Sequence, residues 1–364
     1  MCGIVAAAAG KNIVPVLVEG LKKLEYRGYD SAGLAVIAGN GIERVRSVGR
    51  VAELEAASAD TQSITGIAHT RWATHGVPCE RNAHPHVSGS IAVVHNGIIE
   101  NYETLRTELT ALGYVFTSDT DTESIAHLIE ATLRTEPDLF KAVQLACQRL
   151  VGAYAIAVID HTQPGKVIVA REGSPLLLGV SDTGNYAASD ASALLQVTRN
   201  MVYLENGDIA ELTAAKLRIT RLDGTPVERP VHVSQLSAAA VELGNYQHYM
   251  QKEIFEQPEA LANTLEIVGG SKSIQPGIFG AEAGNLLADV DSILILACGT
   301  SSHSGFTARY WLEAIAGVPC NVEIASEYRY RTSVANPRQL IVAISQSGET
   351  ADTLAALRHA KSLG

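Results

Sequence analysis

Apolar residues in the first 100 positions form short runs separated by polar and glycine-rich segments. Residues 2–9 and 34–37 are predicted to be buried strands, and Val14–Leu24 carries apolar side chains at helical spacing. Two more apolar runs, 63–69 and 90–95, each end in a polar residue, His69 and His95. The pattern predicts strands whose carboxyl ends present polar side chains.

The middle of the chain changes to helical periodicity and then returns to strands. Residues 101–112, 123–133 and 139–150 are predicted helices, and 153–159, 166–170 and 176–180 are predicted strands. Asn206-Gly207 and Asp223-Gly224 favour the positive φ of hairpin turns and predict two hairpins. Together these elements predict an α+β sandwich, with two helices between or against its sheets, that closes near residue 220.

Residues 225–285 are more polar and contain several prolines, which indicates a linker and helices. Strand, glycine turn and helix then follow twice, at 292–298 with 304–316 and at 340–344 with 351–363, which is typical of a doubly wound α/β domain. Two or three strands are too few to bury a parallel sheet on both faces, so we expect this second domain to be truncated. The predicted limits are 2–217, 218–282 and 283–364.

Composition and charge exclude several classes of protein. The chain is 46% hydrophobic and 18% charged, which suits packed cores, and its net charge of −11 argues against binding nucleic acid. The five cysteines are scattered, which argues against a disulfide framework or zinc site and for a reducing compartment. Neither a secretory signal nor an apolar run long enough to span a bilayer is evident. We expect a soluble, cytoplasmic protein with no membrane partner.

The amino terminus suggests a nucleophile. Excision of Met1 would leave Cys2 with a thiol and a free α-amine, whose ordinary pKa of about 7.7–8.0 suits it to take the thiol proton. Gly3 lets the chain turn sharply beside the two groups.

Three further segments supply complementary chemistry. Arg71 offers a planar fork for a carboxylate, or is a surface arginine beside a core tryptophan. Asn96 with Gly97 forms either a two-donor oxyanion hole or a tight turn. An acid among 119–123 either caps a helix or binds a substrate ammonium group. A nucleophile, an oxyanion hole, a carboxylate binder and an ammonium binder together fit glutamine as substrate.

The carboxyl-terminal segment indicates a different ligand. Residues 298–305 and 345–350 are hydroxyl-rich loops that each join a strand to a helix, where backbone N–H groups favour an anion. Neither a P-loop nor a Gly-x-Gly-x-x-Gly motif is present, so a sugar phosphate fits better than a nucleotide. The alternative is that these hydroxyls only cap helices.

With these motifs in hand, the chain resembles the glutamine–fructose-6-phosphate aminotransferase (isomerizing) family, the glucosamine-6-phosphate synthases, over all 364 residues. The specific runs are Cys2–Val5, Leu24–Gly33, His69–Gly76, His95–Gly97 and Thr120–Glu123. His248–Met250 with Lys252–Ile254 is similar to the family's interdomain segment, and the two serine-rich loops resemble its sugar isomerase (SIS) domains.

The resemblance implies a class II glutaminase of the N-terminal-nucleophile type, followed by an incomplete SIS domain. Cys2 would be the nucleophile, Asn96 with Gly97 the oxyanion hole, and Arg71 and Asp121 the glutamine binders. The implied supporting residues are Trp72, Thr74 and His75 in a closing loop and Arg27 near the cysteine. The implied fructose 6-phosphate ligands are Thr300, Ser301, Ser345, Gln346, Ser347 and Thr350.

The family implies glutamine and fructose 6-phosphate as substrates, no metal or organic cofactor, an internal ammonia channel and a homodimer in the full-length form. Family residues for ring opening and isomerisation lie beyond Gly364, so we expect this chain alone to hydrolyse glutamine at best. Two alternatives stay open: another class II amidotransferase, although the phosphoribosyl and ATP loops of two such classes are missing, and a non-catalytic sugar-phosphate sensor.

Overall fold

The computed structural model describes residues 2–25, 28–72, 76–234, 245–268, 283–346, 348 and 350–364. Contacts divide the chain into two compact units, residues 1–250 and 251–364. This division falls inside the segment predicted to be a linker, and the predicted domain limits stay predictions.

The first unit contains two antiparallel sheets in its described residues. The larger sheet has the strand order β14-β11-β9-β10-β1-β4-β2-β3, and the smaller has β13-β12-β8-β7-β6-β5. The strands are β1 (Gly3–Ala9), β2 (Ser31–Ala38), β3 (Gly41–Val48), β4 (Thr65–Arg71), β5 (His86–Ser88), β6 (Ile91–Ile99), β7 (Gly152–Asp160), β8 (Lys166–Glu172), β9 (Leu177–Ser181), β10 (Gly184–Ala188), β11 (Asn200–Tyr203), β12 (Asp208–Thr213), β13 (Leu217–Arg221) and β14 (Val231–Val233).

The α-helices among the described residues of this unit cover the outer faces of the two sheets. They are α1 (Val14–Leu24), α2 (Val51–Ala57), α3 (Tyr102–Ala111), α4 (Thr122–Leu133) and α5 (Leu139–Cys147). One buried cluster joins α1 and α2 to the larger sheet, and another joins α3, α4 and α5 to the smaller. The sandwich was predicted correctly, but no described helix lies between the sheets, so that option is excluded.

The sheets face each other directly across an alanine-rich plane. Alternate positions of β1, β4, β6 and β7 meet there, because side chains of a strand point to opposite faces in turn. Its alanines are Ala6, Ala8, Ala35, Ala92, Ala155, Ala157, Ala187 and Ala210. Such small side chains allow the two sheets to pack closely.

Two details of the predicted strands were wrong. Asn206-Gly207 does not turn a hairpin, because β11 pairs with β9 and β14 in the larger sheet while β12 pairs with β8 and β13 in the smaller. The chain instead crosses between sheets there. In addition, β4 and β6 run on past His69 and His95, so these polar residues lie within strands rather than at their ends.

The turn at Asp223-Gly224 does form, with Gly224 N–H donating to Arg221 O at 2.9 Å and Gly224 at φ +89°. The chain after it returns to β13 through one isolated bridge between Thr220 and Pro226 rather than as a full strand.

The second unit is built on a three-stranded parallel sheet of order β16-β15-β17. Its elements are β15 (Ser292–Ala297), β16 (Cys320–Ile324) and β17 (Gln339–Ile344), with α7 (Ala283–Ala288), α8 (Thr300–Trp311), α9 (Ala325–Tyr328) and α10 (Ala351–Ser362). A longer helix, α6 (Tyr249–Val268), begins just before this unit. A central first strand flanked by the second and third is the doubly wound order that the sequence predicted.

Helices cover both faces of this small sheet. α9 and α10 pack against one face, around Leu294 and Leu296, and α8 packs against the other, around Ile293 and Ile295. Three strands bury the central strand β15 but leave β16 and β17 only partly buried, in agreement with the expectation that so few strands cannot bury the whole sheet. The outer strand β17 stays mostly half-buried. Among the residues described, no helix is both long and apolar enough to cross a bilayer.

Candidate active site

The alternation of side chains along three strands brings the predicted site residues of the first unit to the plane between its sheets. Ile4, Ile67 and Val94 point into this plane. Cys2 precedes Ile4 by two positions, His69 and Arg71 follow Ile67 at the same spacing, and Asn96 follows Val94. A period of two therefore gives all of them the same inward direction.

Cys2 lies beside the end of β4 because β1 and β4 pair with Gly3 opposite Thr70. Its Sγ accepts a hydrogen bond from Trp72 N–H at 3.2 Å. Burial raises the pKa of the Cys2 thiol above its ordinary value, and the Trp72 N–H opposes that rise. The neutral thiol is thus favoured, and a nucleophilic role requires a nearby base.

Asn96 reaches across from the other sheet to Cys2. Its Nδ2 donates to Cys2 O at 3.2 Å, and its Oδ1 lies 3.0 Å from Nε2 of His69. His69 Nε2 also lies 3.0 Å from His95 O. These bonds connect β4 of one sheet with β6 of the other at the level of the cysteine.

Gly97 is required by its surroundings. Its φ is +133°, and a Cβ there would stand 1.9 Å from Ala153 O on β7. Both the left-handed backbone and the missing side chain let β6 bend without colliding with its neighbour. Gly97 is therefore required by the close packing of β6 against β7 and does not serve only to form a turn.

Arg71 is buried and tied to the loop that follows β4. Its Nη2 donates to Gly76 O at 3.0 Å, and its Nη1 lies 3.6 Å from Asp30 Oδ1. The guanidinium also faces the cavity described below. This argues against the alternative of a surface arginine, while Trp72 beside it is 53% exposed and so is no core residue.

Asp121 immediately precedes α4 and is buried. Its Oδ2 accepts from Ile99 N–H at 2.9 Å and lies 3.9 Å from Nδ1 of His95. Asp121 makes no side-chain capping bond to α4. Of its acidic neighbours, Asp119 is bound to Arg81 at 2.6 Å, and Glu123 accepts from the backbone and hydroxyl of Ser118.

A cluster of buried histidines lies beside the candidate site. The rings of His69 and His84 are 4.1 Å apart, and those of His84 and His86 are 4.9 Å apart. Burial lowers the pKa of His69 to about 3 and of His86 to about 3, and that of His84 falls well below its ordinary value for the same reason. Thr122 Oγ1 lies 2.8 Å from His84 Nε2 and 2.9 Å from His95 Nδ1. At neutral pH these three rings are uncharged.

A small cleft that is open to solvent lies over these groups. It is lined by Cys2, Arg71, Trp72, His84, His95, Gly97, Thr120, Asp121 and Thr122. The structure thus brings together predicted residues from both sheets and from the start of α4. Arg27, Thr74 and His75 lie outside the described residues.

The residues predicted to bind a sugar phosphate lie at one edge of the second unit's sheet. β15 and β17 are parallel neighbours, so the loops after them adjoin. Thr300 and Ser301 begin α8, and Ser345 and Gln346 follow β17, while Ser347 is outside the described residues. Thr350 precedes α10, and Ser345 Oγ accepts from Gly348 N–H at 3.1 Å.

Sequence reasoning missed the residues that support this site from behind. His69 and Thr122 belong to motifs that were singled out for Arg71 and Asp121, while His84 was not considered. A signal was present for His69, since a polar residue at an inward position of an otherwise apolar strand needs a buried partner. Nothing in the local pattern indicates that His84 stacks on His69, since β5 and the preceding turn bring them together.

Comparison with known protein families assigns two domains. Residues 69–196 match the glutamine amidotransferase domain, and residues 286–364 match the SIS domain. Both matches agree with the types of domain predicted for the two parts of the chain.

Three similar proteins carry the same name. The chain is 54% identical to a glutamine–fructose-6-phosphate aminotransferase (isomerizing) of Xylella fastidiosa and 56% identical to those of Xanthomonas campestris and Pseudomonas syringae. Each comparison covers all of this chain and 60% of the relative. The chain therefore spans about 60% of the length of these relatives.

Solved structures support the fold. A glutamine phosphoribosylpyrophosphate amidotransferase from B. subtilis is similar with a TM-score of 0.56 at 18% identity, covering 95% of this chain and 69% of that one. A structure described as the allosteric regulatory enzyme of purine biosynthesis has a TM-score of 0.55 at 20% identity, with the same coverage. At this identity the likeness concerns the fold only.

The motifs, the two domain matches and the identity along every part of the chain agree. Over its whole length, the chain is similar to the glutamine–fructose-6-phosphate aminotransferases, of which it spans about 60%.

Proposed function

We propose that the first unit hydrolyses glutamine and that the second binds the fructose 6-phosphate that accepts the ammonia, as the names of the relatives suggest. One observation carries the first half: Cys2, Arg71, Gly97 and Asp121 line one cavity, with the Asn96 amide 3.2 Å from Cys2 O. The full synthase reaction, which makes glucosamine 6-phosphate, is proposed for the longer proteins to which this chain is similar.

The chemistry begins with removal of Met1. The α-amine of Cys2 takes the thiol proton, and the thiolate sulfur attacks the carboxamide carbon of glutamine. A carbon–sulfur bond forms, the carbon–nitrogen bond breaks, and the amine returns its proton to the departing ammonia. Water then hydrolyses the thioester to release glutamate. Because burial raises the pKa of the thiol, the attached amine is needed as base.

The oxyanion of the tetrahedral intermediate would be held by Asn96 and Gly97. Asn96 has two amide hydrogens, one of which is bound to Cys2 O, so the second is available to the oxyanion. Gly97 permits the close backbone approach. Loss of one such donor typically lowers kcat about 10²–10³-fold.

The two ends of glutamine are distinguished by opposite charges. Arg71 offers its guanidinium group to the α-carboxylate, and Asp121 offers a carboxylate to the α-ammonium group. Trp72 is proposed to cover the substrate, together with Thr74 and His75. Arg27 is proposed to hold the amino terminus in place.

The sugar-phosphate half rests on the pair of adjoining loops in the second unit. Thr300 and Ser301 lie in the first turn of α8, where backbone N–H groups attract a phosphate, and Ser345, Gln346, Ser347 and Thr350 come from the adjoining loop. The competing proposal is a non-catalytic sensor that binds the same sugar phosphate without splitting glutamine.

Replacement of the nucleophile tests the glutaminase. Cys2→Ala should abolish glutamate release from glutamine, while Cys79→Ala, which changes another partly buried free cysteine, should leave it within about twofold. Intact mass should show that Met1 is absent and that a glutamine-like diazoketone adds once, at Cys2. Undiminished glutamate release by Cys2→Ala would refute the mechanism, and a retained Met1 with intact sugar-phosphate binding would favour the sensor.

A further inference from the structure

The orientation of the Asn96 side-chain amide is fixed by its neighbours. The carbonyl oxygens of Cys2 and His95 determine this orientation, because a carbonyl oxygen accepts hydrogen bonds and cannot donate them. Cys2 O lies 3.2 Å from one end of the amide, so that end must be the NH₂ group. The opposite end, Oδ1, then points at His69.

The tautomer of His69 follows from the second carbonyl. His69 Nε2 lies 3.0 Å from His95 O and must carry a hydrogen to bond it. A protonated Nε2 can donate to Asn96 Oδ1, also at 3.0 Å, but cannot accept from an amide NH₂ group. His69 therefore excludes the flipped orientation of the Asn96 side-chain amide, as Cys2 O does.

The other ring nitrogen keeps His69 in this state. Nδ1 is buried and has no hydrogen-bond partner within the described part of the chain. A proton there would create a buried charge without a counter-ion, and Arg71 adds to the cost because its charge has the same sign. His69 is thus a permanent neutral donor across the working pH range.

From this geometry, and resting on the proposed glutaminase, we propose that His69 is a positioning residue that sets the Asn96 amide for the oxyanion of glutamine hydrolysis. It does so by donating its Nε2 hydrogen to both His95 O and Asn96 Oδ1. His69 acts through Asn96, because its Nε2 bonds Oδ1, the end of the amide opposite the NH₂ group that is proposed to meet the oxyanion.

A double-mutant cycle tests this action through Asn96. His69→Leu removes the donor and should lower kcat for glutamine about 10- to 100-fold with KM changed less than about threefold, since an oxyanion donor acts in the transition state. In the Asn96→Ala background the same change should have almost no further effect. His69→Gln, which keeps an N–H donor, should recover at least part of the loss.

His86→Leu is the matched control, because it makes the same substitution in the same buried cluster without a bond to Asn96. Its effect on kcat, whatever its size, should be equal in both backgrounds. Thermal unfolding of every variant separates loss of folding from loss of catalysis. Independent, multiplicative effects of His69→Leu and Asn96→Ala would overturn the proposal.

Nitrogen NMR of the unchanged protein decides the tautomer without any turnover. The His69 ring, assigned by its absence in His69→Gln, should show a neutral Nε2–H form that is the same at pH 8 and pH 5.5. An Nδ1–H tautomer or an imidazolium would overturn the proposal. If the unchanged protein released no glutamate, the proposed glutaminase would fall, whereas this measurement would still decide the orientation.

Discussion

Three of the polar side chains in or beside the candidate site, His69, Arg71 and Asn96, occupy inward positions of strands. His69 and Arg71 alternate with Ala68 and Thr70 on β4, and Asn96 is next to Gly97 on β6. Each polar group reaches the plane between the sheets because of its parity in the strand. A shift of register by one residue would turn these three side chains away from that plane.

Gly97→Ala tests the steric requirement at this plane. The added Cβ would stand 1.9 Å from Ala153 O, so β6 and β7 must separate locally. We expect loss of about 2–4 kcal/mol of unfolding free energy and loss of glutamine hydrolysis. Urea unfolding and glutamate release measure the two effects.

Gly113→Ala is the control for that variant. Gly113 also has a positive φ, +93°, but a Cβ there meets nothing within 4 Å. Its replacement should cost only the backbone strain, about 1 kcal/mol, and leave hydrolysis unchanged. Equal costs for both alanines would contradict the steric explanation for Gly97.

Residue types predicted the groups around the cavity but not their bonding. Cys2, Arg71, Asn96 and Asp121 were identified from motifs, since thiol, guanidinium, amide and carboxylate each suit one part of glutamine. The bonds from His69 to Asn96 could not be predicted, because they join strands of different sheets. Local sequence does not specify how two sheets stack.

At the scale of elements, periodicity identified the helices and central strands and failed where a strand is exposed. α3, α4 and β7 lie within a few residues of their predicted bounds, while β3 was missed because its surface is largely polar. The supposed hairpin at Asn206-Gly207 was wrong because the same dipeptide suits any turn with positive φ. Gly207 has φ +80° in a connection between sheets.

The buried histidines next to α4 give the first unit a predicted pH dependence. In the unfolded chain histidine has a pKa of about 6.5, whereas burial holds the folded pKa of His69 and His86 at about 3. The unfolded state therefore binds more protons as pH falls below about 6.5, and stability is lost in that direction. The slope should approach about 1.4 kcal/mol per pH unit for each such histidine.

Urea unfolding between pH 7.5 and 5 measures this slope. His86→Gln keeps a polar partner for Thr120 Oγ1 and should reduce the slope of unfolding free energy against pH by the contribution of one histidine. Replacing the exposed His232 by glutamine should leave this slope unchanged. The charge of Glu123 faces His86 and moderates the effect. A flat profile from pH 7.5 to 5 would contradict the assignment of neutral buried rings.

At the scale of the whole molecule, the proposed glutaminase groups all belong to residues 1–250 and the proposed phosphate loops to residues 251–364. The sequence predicted the two types of fold correctly, because the change from antiparallel sandwich to strand–turn–helix units is a change of pattern. The limits of each unit were harder to predict, since β14 is short and exposed yet still pairs with β11.

Residues 1–250 expressed alone should therefore hydrolyse glutamine. The described members of the cavity, and the buried clusters that support them, come from this unit. We expect kcat/KM for glutamate release within about threefold of that of the 364-residue chain. Circular dichroism should first establish that the shorter chain is folded. A folded but inactive product would show that the second unit contributes to glutamine hydrolysis.

The alanine-rich plane between the sheets has a consequence for which substitutions this chain can tolerate. The proposed nucleophile, Cys2, adjoins one sheet and Asn96 lies on the other, so their spacing is set by side chains as small as Ala155, which is paired with Asn96 on the neighbouring strand. A single larger side chain at such a position would push the two sheets apart and lengthen the distance between Cys2 and Asn96. Turnover would then fail while both sheets remain intact.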